Sequence, residues 1–356
     1  MDLFLAAALI LVSLVSSSYA TEIINIPLSS FKDLERRHKR HVGNFQKFRL
    51  GAAPADIAIN SFKVGGLYSF QRQKNHKQYN STLSRTYTDD GESFSITYGI
   101  GTAAGYLSED CVMVAGLSVK DQIFGEAIDV SDNFEDSYAD GILGMGFRTI
   151  SAAQQLTVFD NMVEQKVVPA PIFSFYLKSQ RSESGGSGSV LTLGGTNPQH
   201  YTGNFTFVDV TEPTFWQFKL DSVNIAKGAG TFCKHGCNAI VDSGTSLIVG
   251  PIKETNQLNR LLGGRPVPFP PGLFEFDCQK INNMPDVEFT VNGKTLSFSS
   301  KEYVIKLHMV CLSSFSGTKY PPEKEPSWII GTPFMQAYYT QFDKENNRIG
   351  FAKARH

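Results

Sequence analysis

The residues most able to do chemistry lie in AIVDSGTSLIVGP, residues 239 to 251. Asp242 follows three apolar residues, so its carboxyl emerges at the end of a buried strand. Ser243, Gly244 and Thr245 then let the backbone turn back with donors facing it. Such a tetrad arises by chance in roughly a few per cent of chains of this length, so its meaning depends on its surroundings. A lone carboxyl cannot act as base and acid in one step, and each acid–base group is worth about a hundred- to ten-thousand-fold. Cys233-Lys-His-Gly-Cys237 is a second cluster, but three ligands do not easily reach one zinc across so tight a loop.

The elements that must position Asp242 are strands. From about residue 57, short runs rich in Val, Ile, Phe, Tyr and Thr alternate with Gly, Asn, Asp and Ser clusters, as in SFSITYGI, IFSFYLK and FTFVDV. Two helical patterns interrupt them: Leu156, Phe159, Met162 and Val163, and Leu258, Leu261 and Leu262 ahead of Gly263. A duplication is visible in Asp140-Gly-Ile-Leu-Gly144 and Trp328-Ile-Ile-Gly331, each two apolar residues followed by Gly. The chain therefore reads as two related lobes. SESGGSGS (residues 182 to 189) reads as a hairpin loop in the first lobe, with the junction near Asn197 to Asn204.

Composition narrows the function. The 356 residues carry 33 Lys plus Arg against 34 Asp plus Glu, with 41% hydrophobic residues, which describes a folded chain without a duplex-binding charge face. Nucleic acid is not an expected partner. The apolar run LFLAAALILVSLV (residues 3 to 15) before SSSYA reads as a signal peptide ending at Ala20, although Asp2 replaces the usual basic start. The alternative is a buried N-terminal helix. No later stretch is long enough to span a membrane.

Residues 21 to 50 hold seven basic side chains (Lys32, Arg36, Arg37, Lys39, Arg40, Lys47, Arg49) and three acidic ones (Glu22, Asp33, Glu35), an excess of four. Residues 51 to 356 carry the opposite excess of four. A removable prosegment held by Coulomb attraction, weakening as carboxylates protonate, is one reading. A solvated helix, DLERRHKR, is the other.

Taken in order, IPLSSF (26 to 31), FSITYGIGTAAGYLSED, DGILGMGF, PIFSFYL, LTLGGTNPQHYTGNFTFVDV, WQFKLDSV, VDSGTSLIVGP, WIIGTPFMQAYYTQFD and NRIGFA resemble the pepsin-like aspartic endopeptidases over nearly the whole chain. The resemblance implies an all-β, bilobal acid-protease fold with a central cleft, divided here as signal peptide 1 to 20, prosegment 21 to 50, N-terminal lobe 51 to 197 and C-terminal lobe 198 to 356. It implies proteolysis in acid of extended peptides by two aspartates sharing a proton, with no metal or cofactor, by a monomer made as a zymogen. Asp242 would be the second-lobe aspartate, oriented by Ser243, Gly244 and Thr245. Tyr98 and Gly99 match the flap that closes over substrate; otherwise Tyr98 is an ordinary strand aromatic. Cys233 with Cys237, and Cys278 with Cys311, match disulfides of the family.

The first-lobe Asp-Thr-Gly-Ser tetrad is missing. INSFKV (59 to 64) reads as the strand that should precede it, and the chain passes straight to GGLYSFQRQKNHKQYNSTLSRTY. A lost block would have held the aspartate, the apolar strand after it and a small disulfide loop, leaving Cys111 without its partner. Asp56 precedes the wrong end of the strand, and Asp89-Asp90-Gly91 reads as a hairpin turn; neither replaces the lost residue. Pairing of two Asp242 residues in a homodimer is blocked by a first lobe that already fills the required face. The two functional readings are an acid endopeptidase rendered here in truncated form and a pseudopeptidase that binds extended peptides without cutting. Asn80-Ser-Thr and Asn204-Phe-Thr are glycosylation sequons if the chain enters the secretory pathway. Secreted and lysosomal destinations both remain open.

Overall fold

A computed structural model describes residues 22–28, 67–70, 79–98, 101–131, 141–151, 154–178, 188–268, 272–307, 309–319 and 328–356. The signal-peptide reading, the whole of the leader after Leu28, INSFKV, Asp56 and Gly99 lie outside these residues.

Strands dominate, as alternating apolar and polar residues require. The first eight are β1 (Ile24–Leu28), β2 (Leu67–Phe70), β3 (Thr88–Tyr98), β4 (Gly101–Val114), β5 (Leu117–Val130), β6 (Gly141–Leu143), β7 (Ile172–Tyr176) and β8 (Ser189–Leu193). Next come β9 (Tyr201–Pro213), β10 (Trp216–Leu220), β11 (Ser222–Ile225), β12 (Gly230–Phe232), β13 (Cys237–Val241), β14 (Ile248–Pro251), β15 (Arg265–Pro266) and β16 (Phe274–Phe276). The chain ends with β17 (Val287–Val291), β18 (Lys294–Phe298), β19 (Val304–Leu307), β20 (Val310–Ser313), β21 (Phe315–Thr318), β22 (Trp328–Ile330), β23 (Tyr338–Asp343) and β24 (Arg348–Ala354).

One sheet runs through both halves in the order β1-β8-β7-β23-β24-β9-β10-β13-β22-β14-β21. Its spine is the pairing of the C-terminal strands β23 and β24 with β7 of the first half and β9 of the second. A five-stranded sheet, β3-β4-β5-β2-β6, forms the first lobe, and two four-stranded sheets complete the second. The main core follows the long sheet, with Phe173 stacked on Phe342 at 4.8 Å and Trp216 edge-on to both, so side chains from the two halves interdigitate.

Both helical patterns form helices, Val158–Glu164 and Ile252–Leu261. Thr157 caps the first by accepting from the Asp160 amide. In the second, Leu258 and Leu262 share the buried face, while Leu261 turns outward and is 45% exposed, as a 3.6-residue period demands. β7 and β8 form the antiparallel pair that residues 182 to 189 were expected to join. Asp89-Asp90-Gly91 differs from expectation. It is no hairpin turn but a register break inside β3, where Gly91 takes φ of +71° and the strand runs on into the flap hairpin.

The base of that hairpin is anchored by a buried carboxylate, Asp110 on β4. It accepts from the Tyr79 hydroxyl at 2.5 Å, from the Cys111 amide at 2.7 Å and from the Thr86 hydroxyl. Burial alone would raise its pKa, but hydrogen bonds from Ser84, Thr86, Tyr79 and the Cys111 amide hold it down to about 2. A folded-state pKa below the unfolded one gives stability that is complete above about pH 4 and lost as pH falls towards 2. Asp110→Ala is therefore expected to destabilise the first lobe by about 2 to 3 kcal/mol through unpaired donors, as measured by denaturant unfolding near neutral pH, with the difference from the parent shrinking below pH 4.

Candidate active site

Asp242 is placed by three strands. β13 runs parallel to β22, with Val241 opposite Ile330, and β14 runs antiparallel to the other side of β22, with Ile248 opposite Ile330. The loop from Asp242 to Leu247 thus crosses the end of β22 between its two neighbours. Ala239, Ile240 and Val241 are buried beneath it, which fixes the height at which the half-buried carboxylate emerges.

The loop holds its own carboxylate. The Gly244 amide donates to Asp242 Oδ1 at 2.8 Å and the Thr245 hydroxyl to Oδ2 at 2.5 Å. Asp242 N–H donates to Ile330 O at 3.0 Å, and Thr332 N–H to Thr245 O at 2.8 Å, so β22 and the residues after it form the floor. Both oxygens are engaged within the loop, and a partner carboxylate is not needed to orient them. Ser243 is buried at the turn.

Gly331 makes the crossing possible. A Cβ there would sit 2.1 Å from Leu247 O and 2.3 Å from Thr245 O, inside the van der Waals contact of both carbonyls. The duplicated apolar-apolar-Gly motif pointed to this position, but its role as floor emerges only from the packing.

The first lobe repeats the arrangement in part. β2 runs antiparallel to β6, with Leu67 opposite Leu143, and parallel to β5 on its other side, with Tyr68 opposite Gly125. β14 is paired in the same senses with β22 and β21. β2 is therefore flanked as β14 is, by one antiparallel and one parallel neighbour. Four residues, Leu-Tyr-Ser-Phe, suffice to seat between two existing partners. Among the described residues β6 pairs with β2 alone, whereas β22 also has β13. Asp242 stands six residues ahead of Ile248; the ten residues ahead of Leu67, IAINSFKVGG, contain no Asp or Glu.

Tyr98 ends β3 opposite Gly101, at the end of the β3–β4 hairpin. Disulfides join Cys233 to Cys237 and Cys278 to Cys311, so neither Cys233 nor Cys237 has a thiolate for a metal. Cys111 stays a free thiol, 3.0 Å from the Ser118 hydroxyl. Asn80 and Asn204 are both exposed; Asn80 caps a short turn, its Oδ1 accepting from the Thr82 amide and hydroxyl. One feature the sequence did not signal is the ion pair of Lys344, at the β23–β24 turn, with Asp160 of the first-lobe helix. Its ammonium also lies 3.5 Å from Gly146 O, just past β6.

A β-rich fold whose Asp-Ser-Gly-Thr loop crosses an apolar-apolar-Gly strand defines an aspartic protease scaffold. The pattern of the family described as eukaryotic aspartyl protease matches residues 60–354, and the chain belongs to that family. It is similar to cathepsin D of Gallus gallus, 43% identical over 283 residues, covering 78% of this chain and 70% of that protein. Cathepsin D of Homo sapiens is 42% identical over 295 residues, with the same coverage.

Gly331→Ala is expected to lower stability by about 1 to 3 kcal/mol, because the added methyl overpacks against main chain that cannot rotate away. Thermal unfolding measures the loss, and Gly350→Ala, which meets only the Phe205 and Phe207 rings, is the comparison at a softer site.

Proposed function

We propose that this chain is a peptide-binding member of the aspartic protease family that does not cut what it binds. The observation that carries the reading is the mismatch between its half-sites. Asp242 has both carboxylate oxygens engaged, while the ten residues ahead of β2 in the sequence include no Asp or Glu. In the two-aspartate mechanism one carboxylate activates water and the other, protonated, donates to the scissile carbonyl. With only one, the loss is about a hundred- to ten-thousand-fold. The flap hairpin and the Asp242 loop are retained, which suits an extended peptide ligand.

The leader completes the reading. Residues 1 to 20 act as a signal peptide and 21 to 50 as a prosegment; disulfides suit an oxidising compartment, secreted or lysosomal. Asn80 and Asn204 carry glycans there. Among the described residues, no helix is long and apolar enough to cross a membrane. A second reading, a complete endopeptidase of which this is one shortened form, is favoured by unpaired Cys111, whose partner would lie in the absent block. Full-length transcript reads across the codons for Asn60 to Tyr79 separate the two.

For the binding reading, purified protein assayed with a broad set of fluorogenic peptides in mild acid is expected to turn over no faster than its Asp242→Ala variant. It is also expected to bind a peptide carrying a tetrahedral alcohol in place of the scissile carbonyl, a mimic of the transition state. Turnover that Asp242→Ala abolishes would sink the proposal.

A further inference from the structure

Three rings meet where the last strand ends. The His200 ring stacks on Tyr176 at 4.3 Å, 12° from parallel, and the His356 ring lies 5.8 Å from Tyr176 at 33°. Tyr176 ends β7 and is buried, His200 stands just ahead of β9, and His356 follows β24. Backbone groups tie the tail to the same place. Arg355 N–H donates to His200 O at 2.9 Å, and the Tyr176 hydroxyl donates to Arg355 O at 2.7 Å. On its far side His356 Nε2 lies 2.6 Å from Gln336 O, in the short helix Thr332–Ala337 whose first amide holds Thr245 O beneath the Asp242 loop.

Neutral His356 is one proton short for these partners. A carbonyl only accepts, so Nε2 carries the hydrogen that Gln336 O receives, and Nδ1 of the neutral ring is then a bare acceptor. Nδ1 lies 3.4 Å from the Tyr176 oxygen. The one hydroxyl hydrogen of Tyr176 goes to Arg355 O, the nearer acceptor. Lone pairs therefore face each other between Nδ1 and Oη. A proton on Nδ1 turns that contact into a donor facing an acceptor and leaves the Arg355 contact as it is. Both nitrogens of the imidazolium then have an oxygen in reach, with the charge strengthening each bond.

The groups around the ring leave room for that charge. Burial pushes the Tyr176 hydroxyl up, so it stays a phenol, and holds the His200 imidazole below its usual range, so it is neutral further into acid than an exposed histidine. Lys353 is engaged with Glu302, the Lys178 side chain lies along Gly188, and Arg355 is exposed to solvent. Gln336 presents only a carbonyl. We propose that His356 is an acid-engaged latch: a proton taken up at Nδ1 gives the ring a second donor, aimed at the Tyr176 oxygen, and fastens the residues after β24 to β7 and to the helix Thr332–Ala337 more tightly in acid than at neutral pH. A proton held better by the tied tail than by the loose one shifts the balance towards the tied form as pH falls.

The test is trimming of the full chain from residue 356 by a serine carboxypeptidase, at about pH 5 and about pH 7.5. Each rate is divided by that of a free peptide with the same C-terminal sequence, which removes the pH dependence of the trimming enzyme. Protection of the parent is expected to rise about 3- to 10-fold from the higher pH to the lower, the worth of one added hydrogen bond. Tyr176→Phe keeps the ring stack and removes the facing oxygen; His356→Asn removes the titrating ring at an exposed position. In both, protection is expected to be the same at the two pH values. Protection of the parent that stays level or falls in acid overturns the proposal, as does a rise of the same size in either variant. If Tyr176→Phe fails to fold, His356→Asn decides alone. Nothing in this readout involves peptide binding or turnover at Asp242, so failure here and failure of the binding reading are separate results.

Discussion

The passage of the Asp242 loop over Gly331 is the contact on which the site depends. Two carbonyls of the loop lie where any side chain at residue 331 would be. The approach is possible because β13 and β14, consecutive in the chain, pair with opposite edges of β22 and leave the loop no route except across its end. A carboxylate held this way is aimed by backbone geometry, and the Gly244 amide and Thr245 hydroxyl finish the aiming locally.

The same geometry makes the Asp242 half-site complete in itself. Orientation of Asp242 draws on β13, β22, β14 and four consecutive residues, none of them from the first lobe. Proton sharing is different, since it needs a second carboxyl on the facing lobe and has no local substitute. β2, with β5 and β6 on its two sides, gives the first lobe a strand paired in the same senses as β14.

The two halves are also held together independently of the cleft. β23 and β24 sit between β7 and β9, and Lys344 reaches from their turn to Asp160. Burial lowers the Lys344 pKa and Asp160 opposes that shift. A buried pair of this kind is weak evidence for stability, but each partner is costly to leave alone. These ties between the halves lie away from the Asp242 loop.

Much was legible in the sequence where local pattern decides. The strand-rich class followed from period-two alternation, the two helices from their apolar spacing, and the Asp242 turn from Ser-Gly-Thr after three apolar residues. The duplicated Gly motif marked β6 and β22 as counterparts in the two lobes. Asp89-Asp90-Gly91 was misjudged because positive φ serves a bulge as well as a turn, and only the partner strand tells which. Leu67 to Phe70 carry too little periodicity to declare a strand by themselves; neighbours on both sides make them one. Asp110 and Lys344 gave no signal because a buried charge is recognisable only by the donors or acceptor that face it. The sequence by itself determined residue chemistry and short-range turns, including the Asp-Ser-Gly-Thr turn at Asp242. Which strands share a sheet, what lies beneath Asp242 and what secures β1 were decided by tertiary structure, since those depend on contacts between residues far apart in the chain.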